Sequence, residues 1–428
     1  MLQKRDKFIF IGILALLVFL TLNRHSKHGP FTYHSEIFSD KAGYHVYLPA
    51  LFYYNFEGRQ FPEDIAKKTG TGFQIDTNSN KVISKYPIGV AVLQLPFFTT
   101  GVVYDRLTNN TEAKGYSATQ HRMIDLSSAF YAFLGLLFLF KLYQKSHTRK
   151  SVYLLLFLTV FGSNLYFYIT RDAGLSHAYS FFVFAAFFYY LDKFFTKKPT
   201  AQNIVLALFF ASLGCLIRPN NILFIGLASL YYVIPYFSEI KKHSSTVFKG
   251  VMIGLPIALL LPLLQLVYYK YAFGDFFAYS YTDERFLYLT NPKLARVWFA
   301  PANGLLLYSP IYLLALWGCI KLFKTQTIKT AILLILFFSI SYVYASWWSP
   351  GLGCGYGHRG FIEHLPFFSL PILVSFTSFK SQLSKFIAGS IGLIYIIILV
   401  YMQYHYDGCW HGNGYWDWQE FKLIFDIN

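Results

Sequence analysis

Long apolar runs recur along almost the whole chain, and they restrict it to a protein that crosses a lipid bilayer many times. A helix needs roughly 20 predominantly apolar residues to cross the hydrocarbon, with a range of about 17–25. After a first run from Phe8 to Leu22, candidate spans lie at 122–142, 152–170, 175–192, 201–217, 221–237, 250–270, 304–320, 329–346, 361–379 and 385–403. A further run, Pro87 to Tyr104, is ambiguous. Only 14% of the residues are charged, against about 25% in soluble domains, so a soluble core is no competitor. The 46 Phe and 35 Tyr suit both membrane interfaces and a packed interior. The fold class is an all-α polytopic membrane protein.

Charge orients it. A net charge of +16 in a soluble protein would suggest nucleic acid. Here Lys and Arg fall in short loops between apolar runs, as cytoplasmic loops require, and no nucleic-acid partner is read. If 87–104 spans, every later basic loop is forced outside. If it lies along the outer interface, the clusters Lys141–Lys150, Lys193–Lys198, Lys241–Lys249, Lys321–Lys329 and Lys380–Lys385 all face the cytoplasm. Pro87 and Pro96 also fit a short, broken interfacial segment.

The expectation is about eleven transmembrane helices with outer-face juxtamembrane helices, the N-terminus inside and the C-terminus outside. Residues 1–428 then form a single transmembrane domain. Its outer segments are 23–121, 271–303, 347–360 and a tail, 404–428. The first is too long for a simple connection and is expected to hold interfacial helices. The start resembles a signal peptide, but Asn23-Arg24-His25 follows instead of small residues, so a retained first helix is expected. The location read from this pattern is the plasma (inner) membrane, multi-pass, with the site on the periplasmic, extracytoplasmic side.

Cys215, Cys319, Cys354 and Cys409 show no paired CxxC spacing, which argues against a zinc or iron–sulfur site. Cys354 and Cys409 both fall in outer segments, and sequence alone leaves a disulfide between them undecided.

Polar candidates gather on the outer side, where ionisable groups near membrane depth are costly and mark a site by default. Asp40 follows the first helix. It reads as a carboxylate that takes a proton from an incoming hydroxyl, or as a capping or solvated loop acid. Glu36, four residues earlier, shares its face if the stretch is helical. Lys85 heads Lys85-Tyr86-Pro87 and reads as a partner for a lipid phosphate or as ordinary snorkelling. Arg171 and Asp172 close one span and His177 opens the next. An ion pair across that turn and a buried histidine stand against a second acid and an imidazole lining one cavity. Arg218, in Arg218-Pro219-Asn220-Asn221, reads as a phosphate clamp or as part of a hinge. The densest feature runs from Trp347-Trp348 through alternating glycines to His358-Arg359. Its glycines allow close approach to a ligand and its Trp pair offers a platform. It lacks phosphate-loop spacing, so no nucleotide site is indicated.

This arrangement resembles the GT-C-type membrane glycosyltransferases, in the branch containing protein O-mannosyltransferases and the lipid A aminoarabinose transferase. The matching elements, in chain order, are Asp40 with Tyr44, Lys85-Tyr86-Pro87, an acid between the third and fourth spans, Leu216-Ile-Arg218-Pro219, and Arg359 opening a Pro- and Leu-rich span. The resemblance implies a polyprenyl-phosphate-sugar donor and an inverting hexosyl- or pentosyltransferase acting for the cell envelope. By it Asp40 is the base, Lys85 and Arg218 meet the phosphate, Asp172 assists, and Arg359 joins them. Tyr44, Glu36, Arg171 and His358 are expected around the substrate, and His177 among the catalytic groups. The family's second acid usually begins the fourth span; here Asp172 precedes it and His177 occupies that helix.

Some relatives use a divalent metal, but the sequence has no diagnostic ligand spacing for one. Sugar and acceptor (protein, lipid or glycan) are not read from it. The rival readings are a lipid or lipid-linked-sugar transporter or flippase, and a glycan polymerase or ligase. A transporter predicts internal repeats and charges at the midplane; no repeat is seen and the helix centres are almost free of charge, and both rivals stay open. A polymerase or ligase predicts a large outer loop late in the chain, whereas here the largest comes first.

Overall fold

The apolar runs fold as helices whose exposure sorts them into a centre and a rim. In the computed structural model, which describes residues 3–24, 29–110 and 114–425, the helix Ser176–Asp192 is buried from Ser176 through Phe188. Its burial on every side makes it the core helix of the bundle, since an apolar surface alone would suit a lipid-facing span equally well. Ala118–Tyr143 and Ala201–Ile217 pack against it. Ser244–Phe273 and Gln382–His405 expose most of their apolar side chains, as lipid-facing helices do.

Among the described residues, five helices are long and apolar enough to cross a bilayer: Ala118–Tyr143, Ser244–Phe273, Thr327–Ser346, Arg359–Thr377 and Gln382–His405. Ala201–Ile217, Asn221–Val233 and Ile311–Phe323 are shorter apolar helices. The molecule is an integral membrane protein.

Two expected spans are interrupted. The run 152–170 divides into Arg149–Phe161 and Leu165–Thr170, and 304–320 into Leu305–Tyr308 and Ile311–Phe323. Pro310 cannot donate to the preceding turn, which breaks the second. The two breaks repair one another. Asn164 N–H donates to Ser309 Oγ at 3.1 Å, and Ser309 Oγ–H donates to Asn164 Oδ1 at 2.8 Å. Freed polar groups in a bilayer protein must find such partners. The run Pro87–Tyr104 departs the other way. Instead of a broken segment it is one continuous helix, Gly89–Leu107, running through Pro96.

The first outer segment carries its own small core, including Ile37, Val46, Tyr47, Phe61, Phe73 and Val82. It contains the short helices Asp40–His45, Tyr47–Phe52 and Ile65–Thr69. It also has an antiparallel hairpin, Phe73–Asp76 with Lys81–Ser84, pairing Phe73 with Ser84. Tyr268 and Tyr271, at the end of Ser244–Phe273, pin the hairpin. Ser84 N–H donates to Tyr268 Oη at 2.7 Å, and Val82 N–H to Tyr271 Oη at 2.9 Å. Helix Gly89–Leu107 starts directly against the end of Ala201–Ile217. A Cβ on Gly89 would lie 2.5 Å from the Ile217 nitrogen, so only glycine permits the approach. The hairpin therefore delivers Lys85, and the helix end delivers Arg218, to the same place.

The tail returns to the bundle. Cys354 and Cys409 form a disulfide, and the Arg171 guanidinium donates to the Tyr406 carbonyl.

Candidate functional site

The short helix at Asp40, the turns at 171–175 and 218–220 and the loop 347–360 help to enclose a cavity of about 820 Å³. Five cations line it, Lys41, Lys85, Arg171, Arg218 and Arg359, with three carboxylates, Asp40, Asp172 and Glu284. Aromatic rings, among them Tyr44, Tyr86, Tyr281, Tyr344, Trp347 and Trp348, form much of the remaining wall.

Asp40 begins its helix, and its side chain is about 30% exposed to the cavity. Arg359 donates to Oδ2 at 3.1 Å and the Tyr86 hydroxyl to Oδ1 at 2.5 Å. Burial pushes the carboxyl pKa up, but the Arg359 charge and the Tyr86 hydrogen bond more than reverse this, leaving it below the ordinary aspartate value. Asp40 is thus held ionised and aimed. Ser39, just before it, takes a positive φ of 52°, which is uncommon for a side chain with a Cβ and marks strain at the head of this helix.

Lys41 Nζ reaches Asp172 Oδ1 at 2.6 Å, and both are largely buried. Neighbours on a helix point about 100° apart, so Asp40 and Lys41 serve different partners. Burial again raises the Asp172 pKa, and Lys41 above all brings it below the ordinary value. Lys85 Nζ reaches Glu284 at 2.5 Å, with both groups facing the cavity. Arg218 donates through one nitrogen to Glu363 at 3.0 Å, and another lies 3.3 Å from His177 Nε2.

Of the residues singled out in the sequence, Asp40, Tyr44, Lys85, Arg171, Asp172, Arg218 and Arg359 line the cavity. Three others do not. Glu36 is buried behind it, bound by Arg24 at 2.6 Å and His121 at 3.0 Å, and lies ahead of the helix that starts at Asp40. The two acids therefore do not share a helical face. His177 is fully buried and bonded to Glu363 at 2.8 Å, so it meets no substrate directly. His358 is also fully buried, its Nε2–H donating to the Pro350 carbonyl at 2.9 Å. Arg171 and Asp172 do not pair with each other: a carbonyl holds one and Lys41 the other. The glycine pattern before His358 also has an internal cause, because Gly355 packs on the Tyr168 hydroxyl, 2.5 Å from where its Cβ would sit.

Sequence reasoning missed Lys41 as Asp172's partner and Tyr86 as Asp40's. Glu284, the partner of Lys85, and Glu363, the partner of Arg218, are likewise paired only by the fold. The Lys41–Asp172 pair spans 131 residues, and no local spacing signals it.

The fold and cavity define a helical integral membrane protein with a cation-rich cavity beside the segment that carries Asp40. The chain matches no protein-family model and no curated protein sequence. Its fold is similar to that of ArnT from Cupriavidus metallidurans. One solved structure of that protein is bound to undecaprenyl phosphate and has a TM-score of 0.57 at 12% identity; the likeness covers 93% of this chain and 70% of that one. The apo structure gives 0.53 at 10% identity, over 93% and 68%. At such identities the likeness is one of fold.

Among the described residues no three His, Cys, Asp or Glu side chains converge, and Asp40 and Asp172 are each engaged by a cation. These residues do not make a divalent-cation site, and no step is derived through one.

Proposed function

We propose that this chain is a glycosyltransferase that moves a sugar from a polyprenyl-phosphate lipid to an acceptor hydroxyl, inverting the anomeric carbon. The observation that carries the reading is the oriented, ionised carboxylate of Asp40 in a cavity lined by five cations. The fold shared with a protein that binds undecaprenyl phosphate supports the lipid partner.

In this reaction the acceptor O–H gives its proton to Asp40 as its oxygen bonds to the anomeric carbon. The bond from that carbon to the phosphate oxygen breaks, and polyprenyl phosphate leaves with the electron pair. Positioned base catalysis contributes typically 10²–10⁴-fold. Lys85 and Arg218 stabilise the charge that grows on the leaving phosphate. Arg359 aligns Asp40, and the Lys41–Asp172 pair braces the neighbouring stretch of the cavity wall. The basic loops support an extracytoplasmic site, and the disulfide agrees with an oxidising compartment.

The test is transfer by purified protein in lipid, supplied with radiolabelled polyprenyl-phosphate sugars, for wild type and Asp40→Asn. The expected result is turnover that falls at least about a hundred-fold in the variant with folding intact. Full activity in Asp40→Asn removes Asp40 as base. Absence of turnover together with saturable lipid movement across the bilayer overturns the transferase reading in favour of a transporter.

A further inference from the structure

Four cavity cations have carboxylate partners, and one partner is placed unlike the rest. Asp40, Asp172 and Glu284 line the cavity, whereas Glu363 lies behind its wall with no exposed side-chain surface. Glu363 Oε1 accepts from Arg218 at 3.0 Å, and its Oε2 accepts from His177 Nδ1–H at 2.8 Å. With the hydrogen on Nδ1, the lone pair on Nε2 faces the second guanidinium nitrogen at 3.3 Å. Two buried acceptors from two different helices therefore hold the fork of Arg218, whose remaining surface faces the cavity.

An anion entering the cavity can turn Glu284 aside, because that carboxylate shares the open surface with Lys85. It cannot turn Glu363 aside, because that side chain has no surface to yield. The charge of Glu363 is thus subtracted from Arg218 in every state of the site.

Resting on the glycosyltransferase reading, we infer that Glu363, with His177, is a positioning residue that orients Arg218 and offsets its charge. The leaving polyprenyl phosphate is then held in place yet released. Glu363→Gln keeps the acceptor shape and removes the charge. Taking away a unit negative charge a few ångström behind the guanidinium should tighten phosphate binding about ten-fold.

The experiment measures undecaprenyl phosphate binding to the full chain in nanodiscs, beside turnover. In Glu363→Gln the affinity is expected to rise about ten-fold while kcat falls, because product leaves slowly. A merely structural role would weaken binding instead. Weaker or unchanged binding in Glu363→Gln overturns the inference.

Should Glu363→Gln not fold, His177→Phe removes one acceptor and leaves Glu363. Labelling of Arg218 by phenylglyoxal, read by mass spectrometry, should then rise about three-fold or more, as expected for a lost charged hydrogen bond. Unchanged labelling overturns the cradle. Wild type that fails to bind undecaprenyl phosphate overturns the glycosyltransferase reading, and the labelling still decides the orientation of Arg218.

Discussion

Arg218 and Lys85 point into one cavity, yet they are built on opposite principles. Arg218 stands at a helix break in the bundle and is fastened to Glu363 and His177, both fully buried. Lys85 follows the outer hairpin and pairs with Glu284, the two side chains about 32% and 27% exposed. A buried ion pair is rigid and costly to break, whereas an exposed one contributes little and reforms easily. One wall of the cavity therefore fixes a cation in place and the other offers a movable one.

The largest expected effect that separates them is on stability. Arg218→Gln strands a buried carboxylate and should cost about 3–5 kcal/mol of unfolding free energy. Lys85→Met should cost about 1 kcal/mol or less while weakening undecaprenyl phosphate binding about ten-fold. Denaturant unfolding in detergent, alongside lipid binding, checks both, and equal destabilisation would erase the contrast.

Acid comes next, and it reaches both regions. His45 in the outer segment and His358 beside Arg359 are pushed down to about 4, chiefly by burial. The unfolded chain takes up these protons near pH 6.5, and the folded protein refuses them until about pH 4. Stability should therefore be full above about pH 6.5 and decline as pH falls towards 4. Asp40 and Asp172, whose pKa values lie below the ordinary aspartate value, keep their contribution down to about pH 4 and lose it only below. Melting temperature followed from pH 8 to 4 tests this. His358→Gln should flatten the slope, and a wild-type curve level across that range would refute the assignment.

The smallest effect is the sharpest for the comparison. Glu284→Gln should change undecaprenyl phosphate affinity by only about two-fold, because an exposed partner is already easily displaced. A ten-fold change would mean that Glu284 is as fixed as Glu363.

Much of the site's membership was legible in the residues, and its pairings were not. Asp40, Lys85, Arg218 and Arg359 stood out because charge near membrane depth is expensive. His177 and His358 stood out for the same reason, yet they serve behind the wall, since a side chain's facing depends on neighbours distant in sequence. The glycines ahead of His358 suggested room for a ligand, and Gly355 instead makes room for Tyr168. The breaks at Asn164 and Ser309 were hidden inside apolar runs, because hydropathy does not record two interruptions that satisfy one another.

By itself the sequence determined that this chain lives in a bilayer and where its polar residues concentrate. Hydropathy is a local, additive property, and so is the cost of charge in hydrocarbon. Only the tertiary structure decided which carboxylate answers which cation, which of those pairs face the cavity, and that Cys354 meets Cys409. Those outcomes depend on contacts between segments distant in sequence, 55 residues apart for the disulfide and more than a hundred for Lys41 with Asp172 and Arg218 with Glu363, which no local pattern encodes.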